Sequence, residues 1–197
     1  DHFVTSVITR QVLQLKYKEK EKIDIGDVTA FRDWSHVKDI VDGYLLLSAK
    51  GKSGEVYNQG SQRTNSVLSF ILLSLQIANY DPISLRTIEG SVSVDDPCGF
   101  ENSTRFGLEM LLTKVDQLLL DDNLNFNIEH KGILVDTKNG TIKIVFNPER
   151  FRPSDVPILL SETSKIRELG FTPKFQLKDI IKDQLNYYMD TQRRSVE

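Results

Sequence analysis

Helical apolar repeats alternate with short β-rich runs over the first eighty residues, and this alternation constrains the fold more than any other feature. Apolar side chains recur at helical spacing in residues 3–15, 37–45 and 67–77, which predicts three helices, with Ser35 and Ser66 as N-caps of the second and third. The runs KIDIG at 22–26 and EVYNQGS at 55–61 predict short strands. Helices that alternate with strands predict an α/β fold, mixed α+β for the domain in isolation.

The second half of the chain carries one strong hairpin pattern and further helical repeats. Two β-rich runs in GILVDTKNGTIKIVF at 132–146 flank Asn139-Gly140, a pair that favours the positive φ values of a tight turn. A capped helix is predicted at 102–122, with an apolar stripe that suits a core or an interface. A short helix that ends at Gly170 and a terminal amphipathic helix at 177–189 complete the prediction.

Length and composition indicate one globular domain. The 197 residues are 39% hydrophobic and 27% charged, and the net charge of -3 gives no general attraction to nucleic acid or to an anionic membrane. No apolar run approaches the roughly 18 residues of a membrane span, and no signal-peptide pattern opens the chain, so we expect a cytoplasmic protein. The single Cys98 excludes an internal disulfide. Because the chain starts at Asp1 within a helical repeat, we expect a fragment of a longer protein.

The cluster Arg32-Asp33-Trp34 is the first candidate site. The planar guanidinium of Arg32 could present its donors to a diphosphate, while Asp33 holds the backbone or a neighbouring arginine in place. An exposed Arg-Asp ion pair beside a packed Trp34 explains the same residues without any ligand.

The run ERFRPSDVP at 149–157 is the second candidate site. Pro153 restricts Arg152 to an extended conformation that would direct its side chain outward, and Asp155 could accept hydrogen bonds from sugar hydroxyls. The alternative is a helix N-terminus in which Ser154 is the cap and Asp155 complements the helix dipole.

Together these runs carry a family resemblance. GDVTAFRDWSHVKDIV at 26–41, followed by RFRPSDVPILLSETSKIRELGFTPK at 150–174, resembles the C-terminal half of the GDP-mannose 4,6-dehydratases. These are extended short-chain dehydrogenase/reductases that act on nucleotide sugars. The resemblance implies that residues 1–197 form the nucleotide-sugar-binding domain of such an enzyme, with an insertion at about 83–132 and with the N-terminal Rossmann domain lying outside the chain.

The resemblance also implies roles for four residues. Arg32 and Arg152 would bind the diphosphate, Asp155 the nucleoside ribose, and Asn58, in a run similar to a strand of the dTDP-glucose dehydratases, the nucleotide. The chain departs from the family pattern at three positions near this site. Val7 and Phe31 stand where the family has lysine, and Asp27 stands where it has asparagine.

The sequence contains none of the catalytic pattern that the resemblance implies. No glycines are spaced G-x-x-G-x-x-G, and none of the six tyrosines is followed by lysine four residues later. By the resemblance, NADP or NAD would be bound by the Rossmann domain or by a companion chain, with no cofactor bound by this chain alone, and the intact enzyme would be a homo-oligomer. Two alternatives stay open. They are a 4-epimerase or reductase of the same superfamily, and a non-catalytic module that binds sugar nucleotides.

Overall fold

The computed structural model describes residues 3–126, 129–151 and 156–190. Its helices are α1 (Val4–Lys16), α2 (Val37–Lys50), α3 (Val67–Ile77), α4 (Lys114–Leu120), α5 (Ser164–Arg167) and α6 (Leu177–Met189). Its strands are β1 (Lys22–Ile25), β2 (Phe31–Asp33), β3 (Thr64–Ser66), β4 (Pro82–Thr87), β5 (Ser93–Asp95), β6 (Phe100–Arg105), β7 (Leu108–Thr113), β8 (Gly132–Thr137) and β9 (Gly140–Phe146). None of the helices in these ranges is long and apolar enough to cross a bilayer.

A five-stranded mixed sheet in the order β1-β9-β8-β4-β5 supports the domain. β1 runs parallel to β9, and the other neighbouring strands are antiparallel. Helices α1, α3 and α6 pack on one another, and α1 also contacts β1. Leu68, Phe70 and Leu73 of α3 are fully buried, because this helix is apolar on nearly all sides and lies inside the core.

The hairpin predicted at 132–146 is confirmed by β8 and β9. Of the pair Asn139-Gly140, only Gly140 takes a positive φ, at 115°, so the expectation that both residues do so was wrong. The hydroxyl of Thr137 shapes the turn instead, since it accepts a hydrogen bond from Asn139 N (3.1 Å) and donates one to Gly140 O (2.6 Å).

The strand predicted at 55–61 is absent from the structure. β2 pairs with β3 at Thr64–Ser66, and residues 55–60 have no regular secondary structure. The prediction failed because a β-rich composition produces a strand only where a partner supplies backbone hydrogen bonds, and none of the described residues does so for this segment.

The predicted helix at 102–122 was wrong in its first half. β6 and β7 form a hairpin whose turn is Phe106 (φ 56°) and Gly107 (φ 75°), and only α4 is helical. Glycine takes a positive φ without steric cost, so the turn interrupts an apolar repeat that otherwise fits a helix. The segment proposed as an insertion therefore supplies β4 and β5 of the main sheet, this hairpin and α4.

Helix α2 begins one residue later than predicted and exposes its apolar face. Its N-cap is His36, whose Nδ1 accepts a hydrogen bond from Lys38 N at 3.1 Å, so the prediction of Ser35 as the cap was wrong. The residues buried on this helix are Asp39 and Gly43. The large apolar side chains exposed on it are Val37, Val41, Tyr44 and Leu45.

Candidate functional site

Arg32 lies in the middle of β2 with part of its guanidinium held by the backbone. Its Nη1 donates to Phe31 O at 2.7 Å and to Val156 O at 2.8 Å. The second bond joins β2 to the segment that begins at Val156. This segment also pairs with β2 through an isolated parallel bridge between Phe31 and Ile158. Tertiary contacts, rather than the local sequence, therefore fix where this guanidinium lies.

Asp33 joins β2 to two other segments of the chain through hydrogen bonds to both of its carboxylate oxygens. Its Oδ1 accepts hydrogen bonds from Ser61 N (2.9 Å) and Ser61 Oγ (2.6 Å). Its Oδ2 accepts from Gln62 N (3.0 Å), from Ser161 N (3.1 Å) and from the hydroxyl of Ser161. The structure therefore agrees with the prediction that the carboxylate of Asp33 holds neighbouring backbone in place.

Trp34 completes the motif as a packing residue. Its indole ring centroid lies 4.9 Å from that of Phe70, and its Nε1 donates to Asn65 O at 3.0 Å. One side chain therefore ties the end of β2 to both β3 and the core helix α3.

A cleft of about 480 Å³ opens beside this motif. Its charged lining residues are Asp27, Arg32, Asp33 and Arg150, and its apolar lining residues include Phe3, Val4, Val7, Ile25, Ala30, Trp34 and Val67. The volume lies within the roughly 300–1,000 Å³ of typical small-molecule sites. A cleft with two guanidinium groups beside apolar walls suits a ligand that has both an anionic part and a flat apolar part.

Arg150 was noted in the sequence as part of the second cluster, and the structure places it in the same cleft as Arg32. Its Nε donates to Asp24 Oδ1 at 2.8 Å, and its side chain is 47% exposed. Gly26 allows this approach, because a Cβ there would lie 2.5 Å from Arg150 O. The ion pair with Asp24 leaves the cleft with a second cation held at the end of β1.

The other predicted site residues have different outcomes. Arg152 and Asp155, together with Pro153 and Ser154, lie outside the described residues. Asn58 is exposed in the segment 55–60 and does not line the cleft. The nucleotide-binding roles of Arg32, Asn58, Arg152 and Asp155 stay predictions.

A second cavity of about 330 Å³ shares Trp34 with the cleft and is lined partly by the β6–β7 hairpin, through Phe100 and Leu111. Burial lowers the pKa of Arg63 in its wall, while the negative charges of Asp39 and Asp33 oppose that shift. Arg63 Nη2 donates to Phe175 O at 2.6 Å.

The comparison with family models gives one match, to GDP-mannose 4,6 dehydratase over residues 1–92. That span contains the whole Arg32-Asp33-Trp34 motif and most residues of the cleft. The chain is therefore similar in sequence to the GDP-mannose 4,6-dehydratases. It is 25% identical to GDP-mannose 4,6 dehydratase of Drosophila melanogaster over 197 residues, which are 99% of the chain and 39% of the relative.

A bacterial GDP-mannose 4,6-dehydratase gives the same picture. The relative from Sinorhizobium fredii is 23% identical over 196 residues, which are 97% of the chain and 44% of the relative. The chain thus spans less than half the length of these two dehydratases.

Solved structures confirm the predicted fold class. RMD from Pseudomonas aeruginosa, solved in complex with NADPH, superposes with a TM-score of 0.59 at 17% identity, over 94% of the chain and 41% of that protein. UDP-glucose 4-epimerase from Thermotoga maritima, solved with UDP-glucose, gives a TM-score of 0.56 at 21% identity, over 99% of the chain and 40% of the epimerase. The mixed α/β fold of the chain is therefore shared with about two fifths of each of these two proteins.

Sequence reasoning did not assign a site role to Asp27 or Arg150. Both residues appeared in the runs that carry the resemblance, but Asp27 was noted only as a departure from the family pattern. The available signal was position, since Asp27 lies in the loop after β1 and Arg150 lies in the short turn after β9, and these two strands are parallel neighbours. Side chains that follow neighbouring parallel strands meet at one edge of the sheet.

Proposed function

We propose that this chain is the substrate-binding part of a nucleotide-sugar 4,6-dehydratase whose substrate is GDP-mannose. The observation that carries the proposal is the cleft that holds Arg32 and Arg150 next to apolar walls. Two guanidinium groups can neutralise a diphosphate, and the apolar side chains can pack against a nucleoside. The relationship to named GDP-mannose 4,6-dehydratases supports this choice of substrate.

The proposed contribution of this chain is recognition. Arg32 would bind the diphosphate, helped by Arg152, while Asp155 would meet the ribose and Asn58 a further part of the nucleotide. A bound NADP or NAD would supply the hydride acceptor for sugar C4 while water is eliminated across C5 and C6. Since the single cysteine, Cys98, is a buried free thiol, a reducing compartment such as the cytoplasm is compatible with the fold.

We further propose that a Rossmann-type cofactor domain packs on the apolar face of α2. Val37, Tyr44 and Leu45 are each at least 64% exposed, and Val56 in the neighbouring segment is 79% exposed. Contiguous apolar surface of this kind marks an interface. Residues 55–60 lie beside this helix, since the side chain of Gln59 closes on Gly43.

Nucleotide-sugar binding tests the first proposal. Arg32→Ala should weaken binding of GDP-mannose by about ten- to a hundredfold, because one charged hydrogen bond contributes roughly 1.5–3 kcal/mol. Titration calorimetry would measure this in the full polypeptide that contains the chain. Arg86→Ala is the matched control, because Arg86 pairs with Asp136 on β4 and β8 rather than lining the cleft. Equal affinities in wild type and Arg32→Ala would refute the assignment.

The interface needs a separate test, since it could fail while the cleft still binds nucleotide. Leu45→Lys keeps a good helix former and places a charge on the exposed face of α2. We expect it to leave the thermal midpoint of the isolated chain unchanged and to lower that of the intact protein. Equal midpoints for wild-type and variant intact protein would contradict the proposed packing.

A further inference from the structure

The second cavity, of about 330 Å³, is large enough to hold a small molecule of its own. It is lined by residues next to and within β3, by the β6–β7 hairpin and by the first turn of α6. Its apolar lining residues are Trp34, Phe100, Leu111 and Leu177. Two aromatic rings beside two leucines suit a ligand with a flat apolar body.

Asn65 gives this cavity a hydrogen-bond acceptor without a partner. Its side chain is buried, with 5% exposure, and its Nδ2 donates to Asp116 Oδ2 at 2.8 Å. Because an ionised carboxylate only accepts, this bond fixes the amide orientation and leaves Oδ1 facing elsewhere. Oδ1 accepts no hydrogen bond from any residue that the structure describes. It is not sealed inside the protein either, since the fully buried side-chain atoms without a partner in these ranges are Gln59 Oε1 and Gln184 Oε1.

Arg63 adds hydrogen-bond donors to the same cavity. It stands two residues before Asn65, and alternate residues of an extended segment point to one side. Both residues line the cavity. The bond from Arg63 Nη2 to Phe175 O uses one of the five N–H groups of the guanidinium. The cavity therefore offers donors and an acceptor side by side.

The charges around Arg63 favour a neutral ligand over an anion. Burial lowers the pKa of Arg63, and Arg167 adds to that shift. Three carboxylates oppose it, those of Asp39, Asp33 and Asp179. These carboxylates already compensate the charge of the guanidinium. An acid bound between Arg63 and Asn65 would also place a carboxylate oxygen against the amide oxygen of Asn65.

We propose that this cavity binds a neutral aromatic amide, whose carbonyl accepts from Arg63 and whose N–H donates to Asn65 Oδ1. The ring of such a ligand packs against the apolar side chains of the lining. This site goes beyond nucleotide-sugar binding, because Trp34 is the only lining residue that the cavity shares with the cleft in the part of the chain that the structure describes.

Three probes of similar size separate the two hydrogen bonds from packing alone. Benzamide carries a carbonyl acceptor and an N–H donor, acetophenone carries only the acceptor, and benzoate carries only acceptors and a negative charge. We expect benzamide to bind at least about tenfold more tightly than either of the others. Methyl NMR would locate the bound probe, since Leu111 and Leu177 line the cavity whereas Val4 and Val7 line the cleft.

Arg63→Met is the test variant, because it removes the donors and keeps an unbranched side chain. It should weaken benzamide binding by about tenfold. Arg86→Met is the matched control, since Arg86 pairs with Asp136 and does not line the cavity, and it should bind benzamide as the wild type does. Leu111→Phe is a second variant at a position that is 48% exposed, where a larger side chain should also weaken binding by filling part of the cavity.

Equal affinities of the three probes for the wild type would overturn the proposal. Wild-type affinity for benzamide in folded Arg63→Met or Leu111→Phe would do the same. So would benzamide at the limit of its solubility if it left the methyl signals of Leu111 and Leu177 unchanged. None of these outcomes bears on nucleotide-sugar binding in the cleft, which Arg32→Ala tests separately.

Discussion

Replacing the buried carboxylate of Asp116 by an amide should strongly destabilise the domain. Asp116 is fully buried in α4 and accepts five hydrogen bonds. Oδ1 receives Ser66 N (2.8 Å) and Ser69 Oγ (2.7 Å), and Oδ2 receives Asn65 Nδ2 (2.8 Å), Thr113 N (3.1 Å) and Thr113 Oγ1 (2.9 Å). This one side chain therefore ties α4 to β3 and to the N-terminus of α3.

The expected loss of stability follows from the groups that donate hydrogen bonds to Asp116. In Asp116→Asn, the new NH2 group faces a backbone N–H in either amide orientation, that of Ser66 in one and that of Thr113 in the other. Hydroxyl groups can rotate to accept a hydrogen bond, but a backbone N–H cannot. An unsatisfied buried N–H costs about 1–3 kcal/mol, and the lost bond to a charged acceptor contributes about 1.5–3 kcal/mol. We therefore expect a loss of about 3–5 kcal/mol in the free energy of unfolding.

Urea unfolding followed by circular dichroism would measure this change. Asp122→Asn is the matched control, because Asp122 is exposed just beyond α4 with φ 55°, a conformation that asparagine tolerates. The control should stay within about 0.5 kcal/mol of wild type. If the free energy of unfolding of Asp116→Asn also stayed within about 0.5 kcal/mol of wild type, the buried carboxylate would not be the main link between α4 and α3.

Three further predictions concern residues away from the cleft. Burial raises the pKa of Cys98 to about 12, so iodoacetamide at pH 8 should alkylate it far more slowly in the native chain than in urea. The hydroxyl of Thr141 lowers the pKa of Asp136, which gives stability that is present above the unfolded-state pKa and lost as the pH falls through the folded-state pKa. Thr141→Ala should therefore raise the pKa of Asp136 in the folded protein, which a carboxyl NMR titration would measure, and should reduce the loss of stability on acidification. Gly140→Val should lower stability by about 1–3 kcal/mol because of its positive φ, without changing the nucleotide affinity of the folded protein.

The sequence was sufficient for elements whose signal is local. Four helices, namely α1, α2, α3 and α6, lie where apolar spacing predicted them, and α5 lies where a short helix ending at Gly170 was predicted. The hairpin of β8 and β9 lies where its turn residues predicted it. Spacing identifies a helix because 3.6 residues per turn bring apolar side chains to one face. The motif around Arg32 was likewise visible in the sequence, and with it the relationship to the GDP-mannose 4,6-dehydratases.

Tertiary structure decided the features that depend on partners distant in sequence. The run at 55–61 has strand composition, yet Thr64–Ser66 pairs with β2 instead, and the repeat at 102–122 became a hairpin followed by a short helix. Asp33 resembled an ion-pair partner of Arg32, but its acceptors are used by Ser61, Gln62 and Ser161. Asp27 and Arg150 came together in one cleft because β1 and β9, which are more than a hundred residues apart in the chain, are parallel neighbours. Local propensity specifies where a helix or a turn can form, but strand pairing and the contents of a cleft depend on which distant segments supply the hydrogen bonds.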